Sequence, residues 1–244
     1  MNTIIARSSL GKTELALRTE DLKNRKRKFK KHYLLVIIAA MGVLIAVFLF
    51  VHRPSRYRPV IASENKQVSR YLTHELLPNL YNKSQLGEPF ELVVTEEGIN
   101  DIISRSNQPV RVGNTNYSNP QILFAPGRIA LMATADVKGV DLIFTIDVAP
   151  AMDANGLLNL HITDVSLGAV NITPIARRFA RKTYLNRLAP ANPDPNNILT
   201  QAADSLLYDE PFEPVITIEG RRVRVESINV AQGKLIVIMA PVAD

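Results

Sequence analysis

Between residues 121 and 172 the chain alternates apolar and polar positions with a period of two. Ile129, Leu131, Ala133, Ala135 and Val137 alternate with Arg128, Ala130, Met132, Thr134 and Asp136. Val140, Leu142, Phe144, Ile146 and Val148 then alternate with Asp141, Ile143, Thr145 and Asp147, and Leu158, Leu160 and Ile162 with Asn159, His161 and Thr163. Successive side chains on a strand point to opposite faces, so this pattern predicts an antiparallel meander with one apolar face. Pro126-Gly127, Lys138-Gly139 and Asp153-Ala154-Asn155-Gly156 supply the turns. The alternation slips near Asp164, where Val165 and Leu167 become the apolar pair, and a bulge is expected there. Further strands are predicted at 90–94, 215–219, 223–230 and 234–239, with turns at Glu219-Gly220 and Gln232-Gly233.

Helical spacing appears elsewhere. A helix is predicted over 63–77, stopped by Pro78. Thr95 is a good N-cap for a short helix with Glu96 and Glu97 in its first turn and Ile99, Ile102 and Ile103 on its apolar face. Residues 107–119 read as a polar loop. Thr173-Pro174 opens a helix to about 188, with Ile175, Phe179 and Leu188 near one side and Arg177, Arg178, Arg181, Lys182 and Arg187 on the rest. A last helix is expected over 198–207. The expected fold class is therefore α+β, with a curved antiparallel sheet of about seven strands wrapped on helices.

Residues 33–51 break both patterns: YLLVIIAAMGVLIAVFLFV holds no charge. As a helix it would be about 28 Å long, close to the hydrocarbon thickness of a bilayer. Lys30, Lys31 and His32 precede it; His52 and Arg53 follow. The residues after it make a poor cleavage site, so an uncleaved signal-anchor is expected rather than a cleaved leader. The resulting organisation is a basic tail (1–32), a transmembrane helix (33–51), a stalk (52–62) and an extracytoplasmic domain (63–244). Residues 13–32 carry eight Lys/Arg and residues 52–71 carry five, which predicts a cytoplasmic N-terminus.

The formal net charge of +6 first resembles a nucleic-acid signal. Its distribution removes that reading. Ten Lys/Arg against three Asp/Glu lie in residues 1–32, whereas 52–244 hold nineteen against twenty. No nucleic-acid partner is expected. The chain has no cysteine, so its domain must be held by its core alone. No nucleophile elbow, zinc-helix motif or phosphate loop occurs. His161 lies near Asp164, without a third ligand for a metal, and Asp136, Asp141 and Asp147 read as a solubilising face. No catalytic residue, metal or cofactor is expected. Arg177, Arg178, Arg181 and Lys182 are either a contact for an anionic surface or the wet side of an amphipathic helix.

The order of parts carries a resemblance. After the anchor come a strand, Thr95-Glu96-Glu97-Gly98-Ile99-Asn100-Asp101-Ile102-Ile103, amphipathic hairpins, the turn at 153–156, and Ser166-Leu167-Gly168-Ala169-Val170-Asn171-Ile172-Thr173-Pro174 leading into a helix. This resembles the YpmS-like family of bacterial membrane-anchored proteins of unknown function and, more distantly, LmeA-type lipid-binding envelope proteins. The resemblance implies a non-enzymatic extracytoplasmic domain that holds a lipid or acyl chain between sheet and helix. The residues expected to line such a concavity are Leu131, Phe144, Ile146, Leu160 and Ile162. The alternatives are that these residues form a closed core, that the protein is an interaction subunit of a secretion or division assembly, or that it is an envelope hydrolase whose site forms only on folding. The expected partners are the bilayer through 33–51, a lipid-like ligand and an envelope protein.

Overall fold

A computed structural model describes residues 35–60, 68–106, 109–112, 115–188 and 197–242. The chain divides into two compact units, Met1–Leu49 and Phe50–Asp244. The first is described here from residue 35 on, where it is helical. That helix, α1, covers 35–51 and exposes apolar side chains all round, including Leu35, Ile38, Leu44 and Phe48. The first two residues of the predicted span, Tyr33 and Leu34, lie outside the described residues, as does the basic tail. Among the described residues no helix is long and apolar enough to cross a membrane.

The second unit is α+β. It is built on two antiparallel sheets, where a single sheet of about seven strands was expected. Its elements in order are a π-helical stretch Tyr71–Leu76, α2 (Leu77–Gln85), β1 (Phe90–Thr95), α3 (Glu96–Ser104), β2 (Val110–Val112), β3 (Thr115–Ala125), β4 (Arg128–Val137), β5 (Val140–Met152), β6 (Leu158–Leu167), β7 (Val170–Asn171), α4 (Thr173–Leu188), α5 (Ile198–Tyr208), β8 (Val215–Ile218), β9 (Arg221–Ala231) and β10 (Lys234–Pro241). One sheet has the order β1-β10-β9-β8 and the other β2-β3-β4-β5-β6-β7. The extra strands escaped the period-two pattern because β7 is two residues long and because β2 and the start of β3 occupy the polar stretch expected as a loop.

Pro78 does not stop the first helix. Leu77 N–H reaches back five residues to Leu72 C=O, and the proline sits in the first turn of α2, where its missing N–H is tolerated. Leu76 and Leu80 pack on the four-stranded sheet against Phe90, Leu92, Val223, Val225, Val237 and Met239. The expected cap of α3 is present: Thr95 Oγ1 accepts from Gly98 N–H at 3.1 Å. The slip near Asp164 is a bulge: Asp147 pairs with Asp164 and Val148 with Ile162, leaving Thr163 unmatched.

Ser69 links the π-helical stretch to α3. Its hydroxyl donates to Asp101 Oδ2 at 2.5 Å, while Arg105 donates to Asp101 Oδ1 through Nε (3.0 Å) and Nη2 (2.8 Å). The Arg105 and then the Ser69 bonds hold the Asp101 carboxyl below its ordinary value of 3.8. A lowered folded value means that the stabilisation is complete above 3.8 and is lost as pH falls through the lower folded value. Asp101→Asn should therefore melt below the wild type at neutral pH. The gap should close as the pH is taken below 3.8; a gap independent of pH would show that these bonds do not couple to folding.

The meander does not bury the face that its alternation favoured. Ala130, Met132, Thr134, Ile143 and Thr145, on the more polar side, are buried. Their cover is segment 52–60, expected as a stalk. Tyr57 in it is only 3% exposed and packs on Met132, Ile143 and Leu123. Its hydroxyl donates to Asn119 C=O at 2.7 Å and lies 2.8 Å from Thr134 Oγ1, and Gln121 Oε1 accepts from Arg58 N–H. On the other side Leu131, Phe144 and Ile146 are only half-buried, although Ala135 and Val148 there are buried.

Candidate ligand-binding groove

On the half-buried face α4 and α5 meet the sheet at β6. β7 pairs with β6 only at Ser166 and Leu167, so the remaining edge of β6 lacks a neighbouring strand. Side chains, one bridge and the Ile172 N–H, which donates to Val165 C=O (2.7 Å), replace one. Leu158 bridges Phe212, Leu160 N–H donates to Ser205 Oγ (2.8 Å), Arg177 Nη2 donates to Ile162 C=O (2.7 Å), and Val165 N–H donates to Thr173 Oγ1 (2.8 Å). Thr173 and Arg177 belong to α4 and Ser205 to α5, so these bonds fix both helices at the sheet margin. Covering an edge in this way also blocks pairing with another chain.

Between the sheet and the two helices lies a groove of about 280 Å³. Tyr117, Phe144, Ile146, Ile162 and Val165 line it from the sheet, Ile172, Ile175, Ala176, Arg177, Phe179 and Ala180 from α4 and the residue before it, and Leu206 and Leu207 from α5. The Tyr117 and Phe144 rings meet edge to face with centroids 6.4 Å apart. The groove is slightly smaller than the roughly 300–1,000 Å³ of ordinary small-molecule pockets. Its rim is unusual: Ile175 and Phe179, one turn apart on α4, are each 71% exposed.

Of the five expected lining residues, Phe144, Ile146 and Ile162 line this groove. Leu131 is the register partner of Ile146 and shares its face, but lies outside the lining, and Leu160 sits where its N–H meets Ser205 beneath α5. Sequence reasoning did not find Tyr117, which falls in the stretch expected as a loop, or Leu206 and Leu207. The signal for the latter two was the apolar end of the helix predicted over 198–207.

The four basic residues of α4 divide by role. Arg177 is spent on Ile162 C=O, with Asp209 Oδ2 at 3.9 Å from its Nη1. Arg181 Nε donates to Leu207 C=O at 2.8 Å, and its guanidinium lies 5.3 Å from the centre of the Tyr208 ring. These two clamp α4 to β6 and α5. Arg178 and Lys182, four residues apart, stand exposed.

The acidic and imidazole groups have separate partners. His161 Nδ1 lies 2.7 Å from Asp209 Oδ1, whereas Asp164 accepts from the Asn171 amide. Asp136 Oδ1 accepts from Gly139 N–H in its own turn, and Asp147 pairs with Arg128 at 3.3 Å. Burial raises the Asp147 carboxyl above its ordinary range against the pull of Arg128. Among the described residues no three His, Asp or Glu side chains gather where a metal ion could sit. A shallower hollow of about 270 Å³ is lined by Asp204, Glu210 and Glu213, the last bonded to Arg224.

Comparison of the chain with protein-family models, with characterised proteins and with solved structures finds no match.

Proposed function

We propose that the protein is a single-pass, membrane-anchored cell-envelope protein whose extracytoplasmic domain holds a lipid-like ligand by its acyl chain in the groove of Phe144, Ile146 and Ile162. It acts by binding rather than by catalysis. The observation that carries this reading is the pair Ile175 and Phe179, exposed at the rim of an open apolar groove. Apolar side chains grouped at the mouth of a concavity mark a place where something apolar docks. The anchor reading draws on the uncharged run 33–51 and on the apolar exposure of α1. The charge difference across that run supports a cytoplasmic N-terminus. The resemblance to the YpmS-like and LmeA-type families points the same way.

The test uses the full chain in a mild uncharged detergent and a series of fluorescent acyl probes. Each buried methylene contributes about 0.8 kcal/mol, so once the probe no longer exceeds the groove, shortening it by two methylenes should weaken binding about fifteen-fold. Ile146→Glu places a carboxylate on the groove floor and should abolish uptake, because burying an unpaired charge is prohibitive. Affinity indifferent both to chain length and to Ile146→Glu would sink the proposal. Crosslinking from position 179 to a single protein, with no acyl dependence, would favour the interaction-subunit alternative.

A further inference from the structure

A second concavity lies on the other face of the same sheet. It measures about 590 Å³ and is lined by Ser55, Arg56 and Arg58, by Leu123 to Pro126 and Arg128 around the β3–β4 turn, and by Ala130, Glu96 and Gln232. Ala130 pairs with Asp147, whereas the adjacent Leu131 pairs with Ile146. Neighbouring residues on a strand face opposite ways. The cleft is therefore separate from the acyl groove and is not its polar end.

Three backbone hydrogen bonds frame it. Gly127 N–H donates to Val230 C=O (2.9 Å), Gly233 N–H to Phe124 C=O (3.0 Å) and Glu96 N–H to Gly233 C=O (2.9 Å). They tie the β3–β4 turn, the β9–β10 turn and the start of α3 together. The fourth wall is the segment on either side of Tyr57, whose buried ring fixes Arg56 and Arg58 at the mouth.

The charges in the cleft are unbalanced. Its lining holds three guanidinium groups and one carboxylate. That carboxylate is occupied: Glu96 Oε2 accepts from Phe124 N–H at 2.8 Å. Arg128 reaches Asp147 behind it through Nη1, leaving its other nitrogens. Arg56 and Arg58 are exposed, and among the described residues their guanidinium groups make no ion pair or hydrogen bond, although the charge of Arg56 also acts on the Asp147 carboxylate that Arg128 reaches. Like charges gathered in one hollow repel until a counter-ion joins them. The planar fork of arginine matches two oxygens of a phosphate.

We infer that the cleft of Arg56, Arg58 and Arg128 is a binding site for a phosphate ester. The phosphate can come from a phospholipid headgroup or from a soluble phosphate compound, and the guanidinium chemistry serves both. The site stands independently of the acyl groove.

The experiment uses the full chain in an uncharged detergent and titration calorimetry in three arms. These are inorganic phosphate, the water-soluble diester glycerophosphoglycerol, and detergent micelles doped with phosphatidylglycerol. At least one arm should saturate at one ligand per chain, and Arg56→Gln with Arg58→Gln should weaken it at least tenfold. Arg56→Lys with Arg58→Lys keeps the charge but loses the fork and should fall between. Saturation by phosphate or the free diester identifies a soluble source; saturation only by doped micelles identifies the lipid headgroup. The basic tail is controlled by Lys26→Gln with Lys28→Gln, which should leave the cleft's binding intact. Both altered arginines are exposed, so the melting temperature should hold; if it falls, the lysine pair gives the same comparison. The inference is overturned if no arm saturates by about 10 mM, ten times the limit of millimolar binding. It is equally overturned if the arginine variants bind as the wild type does, or if only the tail variant loses binding.

Discussion

Replacing Tyr57 with alanine should destabilise the folded unit by about 3–5 kcal/mol, the usual cost of deleting a buried aromatic ring. Tyr57 lies six residues beyond the last residue of α1 and looks, in sequence, like part of a linker. Its ring nevertheless fills the buried face of the meander against Met132 and Ile143. Its hydroxyl reaches Asn119 C=O and Thr134 Oγ1, contacts more than sixty residues away in the chain. Tyr57→Phe keeps the ring and loses only these bonds, so it should cost about 1 kcal/mol. Urea melts of the full chain in detergent separate the two variants. If Tyr57→Ala cost no more than Tyr57→Phe, the ring would not be part of the core.

The second large effect is expected at Asn100. It is buried, and every polar atom of its side chain is accounted for by a structural bond. Its Nδ2 donates to Glu96 C=O (2.8 Å) and Ile122 C=O (2.7 Å), and its Oδ1 accepts from Ile122 N–H (2.8 Å). Asn100 thus bonds to β3 as a neighbouring strand would. Four residues earlier, Glu96 does the same for Phe124 N–H. Asn100→Leu preserves the size and strands both backbone groups of Ile122, each at a cost of about 1–3 kcal/mol. Asn100→Asp keeps the acceptor but sets a carboxylate against Ile122 C=O, and should be worse at neutral pH than at pH 3. Thermal melts at the two pH values measure this. Equal stability of the leucine variant and the wild type would mean that water takes over the bonds of Asn100.

The local elements were readable in the sequence because their causes are local. The cap at Thr95, the turns at Glu219-Gly220 and Gln232-Gly233, the opening of α4 at Thr173 and the bulge beside Asp164 each depend on a few adjacent residues. The division into two sheets was not readable, because β1 pairs with β10 from the opposite end of the domain. Nor was the buried face of the meander. Alternation shows that Met132 and Leu131 face opposite ways, but the choice between them was made by Tyr57, outside the predicted domain. The groove was half legible for the same reason. Phe144, Ile146 and Ile162 followed from strand parity, whereas Tyr117, Leu206 and Leu207 depend on how α4 and α5 meet the edge of β6. The arginine cleft left no motif, since Arg56, Arg58 and Arg128 come together only when segment 52–60 lies on the sheet.

The pairing of β1 with β10 also orders events in time. The six-stranded sheet consists of consecutive hairpins, and pairings between close neighbours form quickly. β1 must wait for the end of the chain before Phe90 can meet Met239. β1 leads directly into Glu96, and Gln232 stands just before β10. The closure of the longest loop therefore brings two walls of the arginine cleft together. A chain that has formed only its hairpins has the strands of the proposed acyl groove but not the closed arginine cleft, so binding at the proposed phosphate site would report that folding is complete.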